Sequence, residues 1–371
     1  MRTRILALTL LLALAFDADL WLRPRPQVLP PAGEPTIVLH DRAEVALENE
    51  PSSFAETINA ALDAKRYDEL ETLAARLRDP DQRFRGGTSQ IRRFYAVVTE
   101  YPMNPTESGC AGTDADGFDA KRAQLEAWHA AVPNQPTATL ALMQVWVRAG
   151  THARGCAYAG DTSAEQWAAM KAHFEQAERY LATLDLDQDP EAYHSAIDMG
   201  MFDGWGRERL DRLYERAVKT FPTFYPLYAQ HARMLQEKWY GETDELASYL
   251  DGLAQPERGA EGQIAYAFAA FELIQEYREA GPVGAGGLRF PKIIAAYQAR
   301  EQRFGLRPHD WKALFFFSLR AGKGVTAHQA VTMMGRDWDS TIWPARESFE
   351  EDIKTYKTYT YFPADVALLG G

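Results

Sequence analysis

Between Arg209 and Leu250 the chain can fold in few ways other than helix, corner, helix, turn, helix. Leu210, Leu213, Tyr214, Ala217 and Val218 return at steps of three and four residues, which gathers them on one helical face. Pro222 and Pro226 then fix the corner. Proline lacks the amide hydrogen and is tolerated only in a first helical turn, so one helix stops before Pro222 and the next starts near Pro226. A short glycine turn leads into a third helix. Such hairpins cannot bury their apolar faces alone, and they stack into solenoids.

The helical period runs through most of the chain. Ile58, Ala61, Leu62, Tyr67, Leu70, Leu73, Ala74 and Leu77 predict two helices with a break near Lys65–Tyr67, ended by Asp79-Pro80. A short helix from Gln90 to Thr99 precedes a loop, Tyr101 to Gly117, rich in Pro, Gly, Asn, Asp and Ser. The segment 137–149 is apolar nearly all round and is expected to be buried between neighbours. Ser53 with Glu56, Ser163 with Gln166, and Thr326 with Gln329 have capping-box spacing, and Asp189-Pro190 reads as an N-cap before a first-turn proline. Gln263–Tyr277 is a strongly apolar helix, broken by the glycines between Gly281 and Gly287. No stretch before the C-terminal tail sustains a period of two. The fold class predicted is all-α.

Both ends differ from this body. Arg2 and Arg4 precede an apolar run from Ile5 to Phe16, the layout of an export signal. The run is short for a spanning helix of roughly 20 residues. Ala13-Leu14-Ala15 offers a cleavage site. Extending the run through Leu22 as an uncleaved anchor would put Asp17 and Asp19 near lipid, which is costly. Residues 1–22 are thus expected to be a signal peptide or signal anchor, and 23–50 a proline-rich, extended linker. The helical domain spans 51–350. Residues 351–371 form an aromatic C-terminal tail, in which Tyr356, Tyr359, Tyr361 and Phe362 alternate with polar residues and are expected to pack back on the last helices.

A formal charge of -12 and a pI near 5.3 argue against nucleic acid, whose binding rests on Lys and Arg neutralising phosphates. Export would place Cys110 and Cys156, the chain's 2 cysteines, where a disulfide persists. The alternative is a pair of unlinked thiols, and neither has a His or Asn visibly placed to activate it.

Measured against the tetratricopeptide (TPR) pattern, Tyr214, Ala217 and Pro222 fall at the positions of the second-helix aromatic, small residue and terminal proline. The first-helix glycine is replaced by Asp198. Leu125–Pro136 reads as a second version of the same corner. Other marks form a set: Arg83-Phe84 before a glycine and then Phe94-Tyr95; Leu125 and Trp128 before Pro133; Ala153-Arg154-Gly155 with Tyr158-Ala159 before Trp167. Towards the end stand Arg258-Gly259-Ala260-Glu261, Phe316–Gly324, and Gly335-Arg336-Asp337-Trp338 with Trp343. This set resembles a bacterial family of TPR-like proteins catalogued as a domain of unknown function, over most of the chain after residue 50. Gly150-Thr151 departs from it, standing where an aromatic is expected. The resemblance implies an irregular TPR-like α-solenoid of antiparallel helix pairs and no activity.

Chemistry-bearing motifs are sparse. Arg258–Gln263 is similar to the Gly-Ala-x-Gly-x-x-Gln segment of lytic transglycosylases, but the Glu-Ser pair those enzymes need upstream is missing. A glycine-bearing turn before a buried helix, with Glu261 capping its N-terminus, explains the segment better. Asp185, Asp187 and Asp189 alternate like calcium ligands, yet Pro190 stands where the loop needs glycine. Asp114, Asp116 and Asp119 lack regular ligand spacing. The 8 histidines include no pair at zinc spacing. No metal or cofactor is expected. Arg154 and Arg207, with Arg209 and Arg212, are candidates to line a concave groove and bind carboxylates, and Trp239 and Tyr240 are candidate anchors beside them. Ion pairs on solvated helix faces and packing between repeats are the competing roles. The expectation is an exported protein, periplasmic or tethered to the outer face of the inner membrane, that binds a protein or peptide partner in the bacterial envelope. A second class is an envelope enzyme acting on cell-wall glycan with Glu261 as its acid, and a third is a structural or stress-linked envelope component without a discrete ligand.

Overall fold

The computed structural model describes residues 34–40, 49–101, 103–105, 111–113, 115–276 and 287–359. The helices are α1 (Ser53–Asp63), α2 (Tyr67–Leu77), α3 (Gln90–Val98), α4 (Ala115–Ala131), α5 (Pro136–Arg154), α6 (Ala164–Leu181), α7 (Pro190–Asp203) and α8 (Arg207–Thr220). They continue with α9 (Pro226–Met234), α10 (Glu245–Leu253), α11 (Gly259–Glu276), α12 (Phe290–Phe304), α13 (Pro308–Arg320), α14 (Gly324–Met333) and α15 (Arg346–Tyr359). The all-α class holds. One small exception lies in the segment read as a loop, where β1 (Met103–Pro105) pairs antiparallel with β2 (Ala111–Thr113).

The stretch 209–250 forms α8, α9 and α10 around its two prolines. Leu210 and Ala217 are fully buried, and the Phe221 amide donates to Ala217 O at 2.8 Å to close α8. Tyr228 Oη donates to Pro222 O at 2.9 Å, which pins the corner. The Tyr214 ring stacks on His231 with centroids 3.7 Å apart, and its hydroxyl meets that of Tyr249 at 2.9 Å. The dense aromatic set therefore joins α8, α9 and α10. Each such ring pair adds about 0.5–1.5 kcal/mol beyond the area it buries.

The caps divide. Ser163 and Gln166 make the expected capping box at α6, and Asp189 accepts from the Glu191 amide at 2.9 Å with Pro190 in the first turn of α7. The other two boxes do not form. Ser53 already lies inside α1, because the entry turn is helical, with the Phe54 amide bonded to Pro51 O at 3.0 Å. At α14 the helix starts at Gly324, two residues before Thr326. Its free amides at Val325 and Thr326 go instead to Glu34 Oε1, at 2.9 and 3.2 Å.

Successive helices pack on one another, and alternate helices also meet: α5 with α7, α7 with α9, α9 with α11. A simple solenoid confines each unit to its neighbours. Here an early turn also meets a late helix. The turn Arg85–Gly87 packs on α12, where Arg300 Nε donates to Gly86 O at 2.8 Å and the Gly86 amide donates to Gly305 O at 2.8 Å. Gly86 and Gly87 sit at φ 78° and 79°, in the left-handed region where glycine alone is unstrained. A Cβ on Gly86 would lie 2.5 Å from both Arg307 Nε and Asp310 Oδ2, and one on Gly87 2.6 Å from the Phe304 ring. Arg83 locks the same junction. Its guanidinium donates to the carbonyls of Pro80, Gly87 and Thr223 and lies over the rings of Tyr225 and Phe304.

Two expectations about the ends need correction. Within the linker, residues 34–38 are held rather than free: Ile37 is buried and its amide donates to Gln329, while the Val38 amide donates to Gln298. The tail does not begin at 351, since α15 runs on to Tyr359, and Tyr356 is buried with its hydroxyl 2.6 Å from His328 Nδ1. The alternation of aromatic and polar residues there coincides with a helical spacing that buries Tyr356 against Phe315. Residues 1–22, Cys110, Asp114, the glycines from Gly281 to Gly286, Tyr361 and Phe362 lie outside the described residues. Among the described residues no helix is long and apolar enough to cross a membrane.

Candidate functional site

Alternate helices each turn one stripe of side chains towards a common cleft. From α3 come Arg92, Ala96 and Thr99; from α5 Gln144, Arg148 and Thr151; from α7 Glu191, His194, Ser195 and Asp198. This part has a volume of about 310 Å³. It continues, through Arg92, His194 and Asp198, into a second part of about 360 Å³ lined from α9, α11, α12 and α13. The spacing of three and four residues along each helix is what keeps each contribution on one face. Asp189 fixes α7 at its base, accepting from Arg78 Nε at 2.7 Å and from Tyr95 Oη at 2.8 Å.

Charge is concentrated where the two parts join. Arg92 Nη1 donates to both oxygens of Glu191, at 3.1 and 3.4 Å, and also lies against the His194 ring. Burial pushes the Glu191 carboxyl up and Arg92 pulls it back. His194 is held well below the ordinary imidazole value, first by burial and then by the neighbouring cations Arg92 and Arg233. It is therefore neutral near pH 7. Gln230 spans to α7, its Nε2 donating to His194 O at 2.8 Å. Across the cleft Arg233 Nη1 reaches Asp198 Oδ1 at 3.3 Å, with Asp198 27% exposed at its side chain. Arg92, whose side chain keeps 40% exposure, and Arg233 retain donors that face the opening.

The far wall is tied together by ion pairs. Arg300 and Asp310 form a buried pair at 2.7 Å, and Arg307 adds a second guanidinium at 3.1 Å. Burial alone would raise the Asp310 carboxyl; Arg300 and Arg307 outweigh it and hold it at about 2. Arg300 also lies 4.3 Å over the Phe268 ring. Beside them His309 pairs with Asp339 at 2.7 Å.

The residues singled out from sequence lie elsewhere. Arg207 is committed to Asp211 and Glu245, at 2.7 and 2.6 Å, and donates to Tyr240 O, so it locks α8 to α10. Tyr240 Oη donates to Met201 O at 3.1 Å. Arg154 lies over Trp167 and Phe202, while Trp239 packs edge-on against Phe202 with Arg233 over its other side. All four lie around the end of α7 in contacts between helices, and none lines either part of this cleft. Arg209 caps the Trp205 ring at 3.3 Å and Arg212 pairs with Glu208. Sequence reasoning missed Arg92, Glu191, His194, Asp198 and Arg233. The signal was present in Asp198: where the repeat pattern has glycine, this chain places a carboxylate, and Glu191, His194 and Asp198 are spaced to share its face.

Glu261 stands in the first turn of α11 with its side chain 44% exposed, pairing with Arg303 and accepting from Tyr225 Oη at 2.6 Å. Both of its oxygens are engaged, Oε1 by Arg303 and Oε2 by Tyr225. The three alternating aspartates point to different partners. Asp185 caps a short turn, Asp187 binds Arg216 and Tyr193, and Asp189 binds Arg78. Among the described residues no group of three or more His, Cys, Asp or Glu is placed to hold a metal ion. Cys156 is disulfide-bonded; Cys110, its expected partner, lies outside the described residues. In comparisons with known proteins, no family model matches the chain, and neither does a curated protein or a solved structure.

Proposed function

We propose that the protein is an irregular TPR-like helical array, exported to the bacterial envelope, that binds a protein or peptide segment in the cleft along α3, α5, α7, α9 and α11. The observation that carries this reading is the stripe of cleft-facing side chains on each alternate helix, merging into one cleft with arginines and carboxylates at its centre and Phe268 and Phe271 on its α11 wall. Helix-pair arrays bind segments this way because stacking aligns equivalent faces into a groove. The link from groove to peptide is an analogy of architecture. Both signs of charge along one wall suit a polypeptide, whose amides and termini need donors and acceptors together. Glu261, committed to Arg303, lends nothing to the glycan-cleaving alternative.

Photo-crosslinking in the native envelope tests the proposal. A photoreactive residue at Thr151 or Phe271, both facing the cleft, is expected to give a discrete protein or peptide adduct. One at Glu175, exposed on α6, is expected to give none. Equal labelling from all three positions, or none from the cleft, would overturn the reading. An adduct lost on Arg92→Ala would place the bound segment at the Arg92–Glu191 junction.

A further inference from the structure

A second surface, away from the cleft, already holds a peptide. Gln329 on α14 grips Ile37 by both ends of its amide: Oε1 accepts from the Ile37 amide at 2.8 Å and Nε2 donates to the Ile37 carbonyl at 2.6 Å. Gln298 on α12 does the same to Val38, at 2.6 and 3.0 Å. Side-chain amides used in this way satisfy an extended backbone as a neighbouring strand would, without regard to its side chains. Sequence is read at two further points. Glu34 Oε1 takes the free amides of Val325 and Thr326 at the start of α14, where a carboxylate also meets the positive end of the helix. Thr326 Oγ1 donates to Pro35 O at 2.8 Å, and Ile37 is 2% exposed. Val38 and Leu39, at 66% and 48%, are left largely in solvent. Gln298 and Arg300 are two residues apart on α12, about 200° around the helix axis, so the clamp lies on the side away from the cleft.

We propose that the α12–α14 face is a reader of extended peptides and that Glu34–Val38 is its resident occupant, displaceable by a segment of another polypeptide carrying an acidic residue, proline, any residue and an aliphatic residue. None of the recognising contacts depends on the covalent link between residues 34–38 and the body. Each is made by a backbone group, the Glu34 carboxylate or the Ile37 side chain, so an untethered peptide of the same pattern presents the same groups. The tether gives the resident segment an effective concentration in the millimolar range, which makes it a competitor for any incoming segment. The surface is independent of the cleft, and it stands whether or not the cleft binds a partner.

The test is a titration of the full chain with a fluorescent heptapeptide, Glu-Pro-Thr-Ile-Val-Leu-His, followed by anisotropy. Ile37→Asp puts a charge where the buried side chain sits and should free the site. Saturable binding at least about tenfold tighter to Ile37→Asp than to wild type is expected. Adding Gln298→Ala and Gln329→Ala to that chain should abolish it, as should a peptide with its own Glu replaced by Lys. Absence of binding to an Ile37→Asp chain with native circular dichroism would overturn the proposal. The milder double variant Glu34→Ala, Ile37→Ala gives the same readout if the aspartate unfolds the protein. A wild-type dimer that the heptapeptide dissociates would assign the occupant to a second copy of the chain and overturn the proposal as stated.

Discussion

Arg300 and Asp310 meet at 2.7 Å with side chains 4% and 1% exposed, at the point where the turn Arg85–Gly87 closes against α12 and α13. A charge so deeply placed is stable only while its partner is present. Removing Asp310 alone, as Asp310→Ala, should cost about 3–5 kcal/mol, because Arg300 is then left buried with Arg307 as its nearest charge. The double change Arg300→Met, Asp310→Leu should cost distinctly less than the sum of the two single changes, since both desolvation penalties vanish together. Urea melts of the three variants read the difference, and strict additivity would contradict the pairing.

Closure of the chain on itself rests on two glycines. Gly86→Ala combines a positive φ with a Cβ 2.5 Å from Arg307 Nε and Asp310 Oδ2; Gly87→Ala combines the same strain with a contact against the Phe304 ring. Each should destabilise by about 2–4 kcal/mol, the left-handed strain supplying about 1–2 and displacement of the neighbours the rest. Gly204 has a similar φ of 72° but nothing near its Cβ position, so Gly204→Ala should show the strain alone. Thermal denaturation of the three should rank Gly204→Ala as the mildest.

Acid should weaken the fold in two stages, the first beginning near pH 6.5 and the second joining it below about pH 4. Burial lowers His231 from its ordinary 6.5 to about 3 and pushes His194 down as well. A histidine with a depressed folded pKa contributes stability above about pH 6.5 that is lost as the pH falls, because only the unfolded chain takes the proton. For His231, which is 8% exposed, the loss is about 1.4 kcal/mol for each pH unit below 6.5. His231→Phe keeps the stack on Tyr214 and removes an Nδ1 buried without a hydrogen-bond partner among the described residues. Its stability should fall less steeply between pH 6.5 and 4. Asp310, held at about 2, should produce the second decline only below about pH 4. Urea midpoints across pH 3–8 separate the two, and an unchanged slope in His231→Phe would reject the assignment.

Helix identity was legible because it is local: the period of Leu210, Leu213 and Ala217, and the two prolines, act within a few residues. The caps were legible only where the first amides had no distant competitor. At Ser163 the capping box forms, whereas at Thr326 a carboxylate from Glu34, 292 positions away, takes the Thr326 amide that Gln329 would have bonded. Arg207 and Tyr240 looked like surface residues because their partners, Glu245 and Met201, come from neighbouring helices. The cleft escaped for the same reason. Its residues come from helices separated in sequence, and each short stripe taken alone resembles an ordinary helix face. The meeting of the Arg85–Gly87 turn with α12 has no periodic signature at all, since it joins residues 214 positions apart.

Asp198 is the one cleft residue whose departure from the repeat pattern marks it, and its removal separates stability from binding. Its side chain is 27% exposed and its contact with Arg233 is long, at 3.3 Å. Such pairs contribute about 0–1 kcal/mol, so Asp198→Ala should melt within a few degrees of wild type. The cleft loses a negative charge between Arg92 and Arg233, and its potential becomes more positive. A bound segment should then be retained more tightly if it presents a carboxylate there, and more weakly if it presents an amine. Either shift should shrink as salt is raised from 50 to 500 mM, because the change is one of charge alone. A salt-independent effect on crosslinking yield from Thr151 would mean that Asp198 acts through packing instead.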